Sequence, residues 1–238
     1  MAIDRSEAII LLTLLVACGC LWGFVWLAGE MLEGDTQAFD KAVLAALRSA
    51  GDPSNPVGPL WLEETARDIT SLGSMSVLGL LTLATVGYLL ILRQRGHALL
   101  VLVSIGGGML VSLVLKLGFH RTRPGYFADG VHVFTSSFPS QHAMLTAVAY
   151  LTLGVLLARV QPSLRLKVYL MALAVFLTLL VGSSRLYLGV HWPSDVLAGW
   201  GVGAAWALLC WLVSIWLGER FRVRRDGREG LMPPPADR

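Results

Sequence analysis

The sequence predicts an all-α polytopic membrane protein, a six-transmembrane-helix bundle with a short extramembrane helix between the first two spans. Of the 238 residues, 55% are hydrophobic and only 15% are charged, whereas a soluble domain carries about 25% charged residues. The mean hydropathy is +0.66. The apolar residues gather into six runs, each long enough to cross ~30 Å of hydrocarbon, which takes about 20 helical residues.

The six spans are predicted near residues 8–29, 72–92, 97–118, 142–159, 167–187 and 195–217. The fourth and fifth runs carry polar residues at their ends, and those residues prove informative below. No internal repeat is present, so residues 1–238 are interpreted as a single domain. Residues 219–238 are predicted to form a disordered, basic cytoplasmic tail, because they combine several arginines with three consecutive prolines.

The basic residues predict the orientation of the bundle. With a cytoplasmic N-terminus, 12 of the 19 Lys and Arg residues fall on the cytoplasmic side of the six spans. Cytoplasmic loops carry the excess of Lys and Arg in membrane proteins. We therefore expect both termini in the cytoplasm. The compact chain shows no targeting extension, which favours a bacterial inner membrane.

The stretch from about residue 30 to 70 is predicted to lie outside the membrane. Thr36 is placed to cap a short helix that carries four apolar residues on one face, Phe39, Val43, Leu44 and Leu47. Such a helix would lie along the membrane surface or cover the bundle. A region rich in proline and glycine follows, and Trp61 comes next at an interfacial position.

Eight polar residues flank the third to sixth spans, all at the predicted non-cytoplasmic face. They are Lys116, Arg123, Ser140, Gln141, His142, Arg185, His191 and Asp195. A basic residue at a helix end usually anchors the helix at the interface, and a lone histidine at a helix start is usually structural. Three cations, two histidines and a carboxylate at one face instead favour an anion site, because ionisable groups close to hydrocarbon need a reason to be there.

These side chains suit a phosphate group. Lys116, Arg123 and Arg185 supply positive charge, and one arginine guanidinium can bind two phosphate oxygens at once. Ser140 is placed as the N-cap of the fourth span, so the first N–H groups of that helix, including that of Gln141, would face an anion.

The two histidines differ in their neighbours. His191 and Asp195 are four positions apart at the start of the sixth span, so the carboxylate can accept a hydrogen bond from one ring nitrogen. The other nitrogen is then available as a nucleophile. His142 remains to protonate a departing oxygen.

At these residues the sequence resembles the type 2 phosphatidic acid phosphatase superfamily, which also includes the vanadium haloperoxidases. The family pattern is K-x6-R-P, P-S-G-H and S-R-x5-H-x3-D. It reads here as Lys116 to Arg123-Pro124, Pro139-Ser140-Gln141-His142, and Ser184-Arg185 to His191 to Asp195. Gln141 stands where the family has a glycine. The glutamine keeps the backbone N–H but brings a side chain near the pocket.

The resemblance implies a membrane phosphatase that removes phosphate from a phospholipid or from a polyprenyl phosphate or diphosphate. His191 would form a phosphohistidine, Asp195 would orient it, and His142 would act as general acid and then as base. The other five residues would hold the phosphate oxygens. No metal or other cofactor is implied, because the cations and helix ends neutralise the phosphate charge.

Two other functions stay open. A phosphotransferase of the same family would share the phosphohistidine half-reaction, and a non-catalytic membrane transport or binding protein would keep only a relict site. A haloperoxidase is disfavoured, since those relatives are soluble. A nucleic-acid partner is also disfavoured, because the net charge is only +3 and no basic cluster interleaves with aromatic residues. The sequence leaves the head group, the lipid chain and the oligomeric state undetermined.

Two weaker hypotheses concern neighbouring residues. His120 and His132 could join His142 in a zinc site, but no closely spaced carboxylate or cysteine completes the ligand set. Glu64 and Asp68 stand at i, i+4 spacing ahead of the second span. They would either cover the site or form a solvated helix face, and the solvated face is favoured.

Overall fold

The computed structural model describes residues 4–125 and 136–229. Within these ranges all regular structure is helical, apart from one isolated β-bridge between Arg48 and Pro56. The helices are α1 (Arg5–Glu33), α2 (Gln37–Ala46), α3 (Leu60–Ser71), α4 (Met75–Ile91), α5 (Arg95–Gly118), α6 (Gln141–Arg159), α7 (Leu164–Tyr187) and α8 (Pro193–Glu229). The all-α, polytopic prediction is confirmed.

The second predicted span differs from the others. Five helices are long and apolar enough to cross a membrane, namely α1, α5, α6, α7 and α8 as far as Gly218. α4 covers most of the span predicted at residues 72–92, but its 17 residues fall short of the roughly 20 that a straight crossing needs. α3 and α4 are long and apolar enough only when they are taken together, and they are bent by 44° at the short break between them, as in a broken span or a re-entrant loop. α3 was not predicted as a separate helix.

The break between α3 and α4 is packed against the bundle. Ser74 caps α4, with its Oγ accepting a hydrogen bond from the Val77 N–H at 3.2 Å. A Cβ added to Gly73 would lie 2.8 Å from Val181 Cγ1 and 3.1 Å from His142 Cδ2. Only glycine leaves room for this approach, so the chain passes directly behind the first turn of α6.

α6 lies at the centre of the bundle, in contact with α5, α7 and α8. Two glycines on α8, one turn apart, allow the closest of these approaches. A Cβ on Gly199 would lie 2.6 Å from the Ser140 carbonyl oxygen, and one on Gly203 would lie 2.5 Å from that of Met144. Small residues at such spacing let membrane helices pack backbone to backbone. This contact brings together the starts of α6 and α8, where five of the eight candidate residues lie, namely Ser140, Gln141, His142, His191 and Asp195.

α2 is the short helix predicted between the first two spans, but its predicted apolar face is partly wrong. Thr36 is the N-cap residue, although its side chain makes no capping hydrogen bond. The buried residues are Asp40 and Leu44, whereas Phe39 is exposed. The buried face of α2 thus differs from the apolar face of the sequence pattern, because polar partners hold Asp40 in the interior.

The C-terminal prediction also needs correction. α8 continues to Glu229, so residues 218–229, most of which were assigned to a disordered tail, are helical. No proline follows Pro193 within α8, so nothing in this range removes a backbone hydrogen bond of the helix, and the triple proline lies outside the described residues.

Candidate active site

All eight candidate residues lie at one end of the bundle, contributed by four helices and the segments between them. Lys116 is in the last turn of α5, Arg123 follows α5, and Arg185 is in the last turn of α7. Ser140, Gln141 and His142 form the start of α6, and Asp195 is in the first turn of α8. The Ser140 N–H donates to the Asp195 carbonyl at 2.9 Å, which ties two of these segments directly together.

His191 and Asp195 form a buried pair. His191 precedes α8, which begins at Pro193, so the pair spans the helix start rather than lying wholly within its first turn. His191 Nδ1 is 3.4 Å from Asp195 Oδ2. The same oxygen accepts hydrogen bonds from the Trp192 N–H at 2.9 Å and from the Ser137 hydroxyl. Asp195 therefore faces Nδ1 as a fixed acceptor, which favours the ring tautomer with a lone pair on Nε2.

The environment of His191 keeps its ring neutral. Only 1% of the residue is exposed. Burial lowers the pKa of His191 to about 4, although the Asp195 carboxylate acts in the opposite direction. At neutral pH the imidazole is thus uncharged, as a nucleophile requires.

Arg123 lies against the other ring nitrogen. Its Nη1 is 3.2 Å from His191 Nε2 and donates to the Val190 carbonyl oxygen, also at 3.2 Å. Burial lowers the pKa of Arg123, and the Asp195 carboxylate opposes that shift. A guanidinium nevertheless stays protonated in a protein. A cation therefore stands where a group attacked by Nε2 would carry negative charge.

Lys116 and Arg185 complete the cluster of cations. Both are half-buried, and each carries its charge within range of Arg123. Arg185 Nη1 donates to Thr70 Oγ1 at 3.0 Å, so α3 reaches the site. In the described part of the chain, Arg185 Nε is buried without a hydrogen-bond partner. Like charges held together out of water need a counter-charge, and a phosphate would supply it.

The start of α6 faces the same place. Ser140 is the N-cap residue, as predicted, but its side chain makes no capping bond. Its hydroxyl is fully buried and has no hydrogen-bond partner among the described residues. The first N–H groups of a helix also lack intrahelical acceptors. The hydroxyl and these N–H groups together can bind an anion at the positive end of the helix dipole.

Gln141 makes contacts that the sequence did not reveal. Its Oε1 accepts a hydrogen bond from Lys116 Nζ at 3.2 Å, and its Nε2 lies 3.3 Å from the sulfur of Met75 at the start of α4. The Gln141 side chain therefore packs against Lys116 and does not extend into open space.

His142 stands one residue further along α6. The titratable groups that act on it are Arg185, His191, Lys116 and Arg123. Gly73 lies close to the Cδ2 atom of the His142 ring. His142 and His191 thus lie within electrostatic range of each other, as an acid and a nucleophile that act on one phosphorus must.

Sequence reasoning missed several residues that shape the site. The most connected is Arg121, which binds Asp195 and the buried Asp40 of α2, both at 2.6 Å. Ser137 contacts both members of the His191–Asp195 pair. One available signal was Asp40 itself, an acidic residue inside the apolar stripe of a short helix.

The weaker hypotheses have different outcomes. Among the described residues no group of three metal-ligating side chains occurs. His120 is exposed and lines a cavity of about 400 Å³ beside Arg121, away from the cation cluster, while His132 lies outside the described residues. Glu64 and Asp68 are both exposed, which supports the solvated face.

Comparisons with known proteins agree with this arrangement. The sequence model of the PAP2 superfamily matches residues 97–219, which include all eight candidate residues. Phosphatidylglycerophosphatase B of Bacillus subtilis (strain 168) is 34% identical over 181 residues, which are 76% of this chain and 85% of that protein. A lipid A 1-phosphatase of Rhizobium etli is 31% identical over 159 residues, 59% of this chain and 64% of that protein.

A solved structure is similar in fold as well as in sequence. The crystal structure of a transmembrane PAP2-type phosphatidylglycerolphosphate phosphatase from Bacillus subtilis superposes with a TM-score of 0.72 at 32% identity. The match covers 82% of this chain and 93% of that one. The similarity thus extends beyond the motif residues to most of the bundle.

Proposed function

This chain belongs to the PAP2 superfamily, and from that premise we propose that it removes phosphate from a membrane lipid through a phosphohistidine intermediate. Its relatives are named as phosphatases, and it is a phosphoric monoester hydrolase embedded in a membrane. One observation carries the mechanism: His191 Nδ1 faces the Asp195 carboxylate, while Nε2 lies against the Arg123 guanidinium.

The first half-reaction forms a bond between His191 Nε2 and phosphorus. As that bond forms, the bond between phosphorus and the leaving oxygen breaks, and His142 donates a proton to this oxygen. Asp195 accepts the Nδ1–H hydrogen bond and stabilises the positive charge that develops on the ring. In the second half-reaction His142 takes a proton from water, the water oxygen attacks phosphorus, and His191 is restored with release of inorganic phosphate.

The remaining residues bind the phosphate oxygens. Lys116, Arg123 and Arg185 offset the negative charge that is shared over these oxygens in the transition state. The Ser140 hydroxyl and the backbone N–H of Gln141 add neutral donors. Because these groups are held by three different helices and the segments next to them, they are preorganised before the substrate arrives, which is the main requirement for phosphoryl transfer.

The proposal places the site at the non-cytoplasmic face of a bacterial inner membrane, with both termini in the cytoplasm. The support is the distribution of basic residues, 12 of 19 on the opposite side. The substrate is a phospholipid or polyprenyl chain that carries a phosphate or diphosphate. The names of the relatives describe removal of phosphate from phosphatidylglycerophosphate and from lipid A.

A panel of lipid phosphates, presented to the purified protein in detergent, tests this function by release of inorganic phosphate. We expect His191→Ala to abolish turnover, and a base-stable, acid-labile phosphoryl adduct to form on the wild type but not on this variant. His142→Ala should turn over slowly yet still form the adduct when the leaving group is good. His97→Ala, at the opposite end of α5 from Lys116, is the matched control and should behave like the wild type.

The same experiment separates the competing functions. Phosphate that appears on an added lipid or sugar alcohol instead of in solution would identify a phosphotransferase. Binding without turnover for every lipid in the panel would identify a non-catalytic protein. Undiminished turnover by His191→Ala would overturn the phosphohistidine mechanism itself.

A further inference from the structure

Arg121 lies between two buried carboxylates from opposite ends of the chain. Its Nη1 is 2.6 Å from Asp195 Oδ1, and its Nη2 is 2.6 Å from Asp40 Oδ2. The side chain of Arg121 is 12% exposed, and those of Asp40 and Asp195 are 1% and 0% exposed. Charges so far from water contribute strongly to the local field, and each must have a partner.

Asp40 also holds the start of α8. Its Oδ1 accepts the Ser194 N–H at 2.9 Å, and its Oδ2 accepts the Ser194 hydroxyl at 2.6 Å. A carboxylate at a helix N-terminus satisfies a free N–H and interacts favourably with the helix dipole. Arg121 Nη2 also donates a hydrogen bond to Thr36 Oγ1, at 3.2 Å. α2 is thereby fixed to the segment that carries Asp195.

The two oxygens of Asp195 have separate partners as a result. Oδ1 binds Arg121, and Oδ2 faces His191 Nδ1. If Asp40 were absent, Arg121 would lose half of its ionic contacts and Asp195 would be its sole carboxylate partner among the described residues. Arg121 would keep its hydrogen bonds to the hydroxyl groups of Thr36 and Ser194, and Asp195 Oδ2 would keep its bonds to Trp192 and Ser137. The guanidinium that binds Oδ1 would nevertheless lose its second ionic contact, and the carboxylate would be held less firmly toward the imidazole.

Charge balance points the same way. Arg121 with Asp195 alone is neutral, whereas Asp40, Arg121 and Asp195 together carry one negative charge beside the ring. That charge favours the positive imidazole that forms when Nε2 bonds to phosphorus. Asp40 thus restores to Asp195 the electrostatic effect that Arg121 would otherwise cancel.

We propose that Asp40 and Arg121 are positioning residues for the His191–Asp195 pair, so that α2, which lies outside the matched residues 97–219, belongs to the working site. This inference rests on the proposed function. The alternative is that the three charges only fasten α2 to the bundle. A fastening role would affect folding or substrate access, whereas a positioning role affects the phosphorylation of His191.

The first test compares Asp40→Asn with Glu63→Gln, which removes the acid of the exposed Arg67–Glu63 ion pair on α3. We expect Asp40→Asn to lower kcat by roughly tenfold to a hundredfold with KM within about threefold, since misplacing a reacting group by ~1 Å costs about that much. Glu63→Gln should match the wild type. A folded Asp40→Asn with unchanged kcat, or with a changed KM alone, would overturn the proposal.

The second test uses the acid limb of the pH profile for phosphoenzyme formation. The charged or titratable groups that face His191 are Asp195 on α8, Arg123 after α5, Arg185 on α7 and His142 on α6. Asp40→Asn removes a negative charge behind Asp195, so the limb should move to lower pH. Arg121→Gln removes a positive charge, so the limb should move to higher pH. Shifts of the same sign, or none, contradict the proposal.

A third test uses two substitutions at Thr36, which disturb the folded protein less than the removal of a buried charge does. Thr36→Val removes only one hydrogen bond to Arg121, and we expect it to lower kcat by about twofold to fivefold without changing KM; Thr36→Ser keeps the hydroxyl and should restore kcat. Wild-type kcat in Thr36→Val would also overturn the proposal. An active His191→Ala would instead show that the phosphohistidine mechanism has failed, and the two failures are therefore distinguishable.

Discussion

Both ends of the helix bundle carry basic residues, but the two sets have opposite surroundings. At the end that holds the site, Lys116, Arg123 and Arg185 are half-buried and lie close to one another. At the other end Arg93 and Arg95, like Arg159 and Arg165, are exposed. Arg159 there packs over the Trp211 ring at 5.3 Å, a contact that needs no anion.

The difference shows how one residue type serves two purposes at a helix end. Exposed arginines interact with water and lipid head groups, and their mutual repulsion is screened within about 10 Å at ordinary ionic strength. Half-buried cations are screened far less, so gathering three of them destabilises the empty site unless an anion is bound. Burial, rather than charge alone, separates the residues that we propose to bind phosphate from the exposed arginines at the other end.

The largest expected effect is an all-or-none difference in labelling between the two ends. In a variant that lacks Cys18, Cys20 and Cys210, a cysteine at residue 55 should react with an impermeant thiol reagent in intact cells. A cysteine at residue 163, beside the exposed end, should react only after the membrane is broken. The reverse pattern would place the site in the cytoplasm and refute the proposed orientation.

The next effect concerns the cations themselves. Arg185→Ala should lower kcat/KM by roughly a hundredfold to a thousandfold, the usual effect of losing one donor to transition-state charge. Arg165→Ala, near the start of the same helix but exposed, should leave it unchanged. Equal losses in the two variants would mean that arginine at either end acts through stability, and thermal unfolding of both would identify that cause.

The pH dependence should lack the roughly tenfold fall that a histidine with an ordinary pKa would produce. Because the pKa of His191 is lowered to about 4, the ring stays neutral as the pH falls from 7 to about 5 and becomes protonated only near pH 4. A histidine with an ordinary pKa of about 6.5 would be only about one-tenth neutral at pH 5.5. Phosphoenzyme formation in rapid-quench experiments should therefore be nearly constant from pH 7 to 5.5. A tenfold fall across that range would contradict the effect of burial.

The smallest expected effect belongs to Gln141. Its backbone N–H is retained in Gln141→Gly, so turnover should stay within about tenfold, or ~1.4 kcal/mol of barrier. The contact between its amide and Lys116 makes a modest loss the expected direction. A large fall with a lipid phosphate but not with a small soluble phosphate ester would show that the amide contacts the lipid head group.

Much of the architecture was predictable because it depends on local composition. A helix in hydrocarbon must satisfy its own backbone hydrogen bonds, so long apolar runs become helices whatever their neighbours. That reasoning succeeded for α1, α5, α6, α7 and α8. It succeeded less well for the second span, because α4 alone has 17 residues and passes the length and hydropathy test only together with α3, which is too polar to resemble a span by itself.

Part of the site, like part of the fold, was predictable from the sequence, and part was not. The spacing of Lys116, Arg123, His142, Arg185, His191 and Asp195 is a property of the sequence, and once the helix order is known those residues must meet at one end of the bundle. Their catalytic and phosphate-binding roles stay predictions that the variants above would test. Arg121 and Asp40 belong to no recognisable spacing, since the contact between them joins positions 81 residues apart.

The sequence by itself therefore determined the class of fold, five of the six spans and the set of residues that converge at one end, because hydropathy and helical period act over a few turns of chain. Only the tertiary structure decided that Asp40 turns inward, that Gln141 leans on Lys116, and that Arg121 rather than solvent binds Asp195 Oδ1. The physical reason is that a polar group buried between helices takes the partner that packing brings to it, and close packing depends on the whole chain at once.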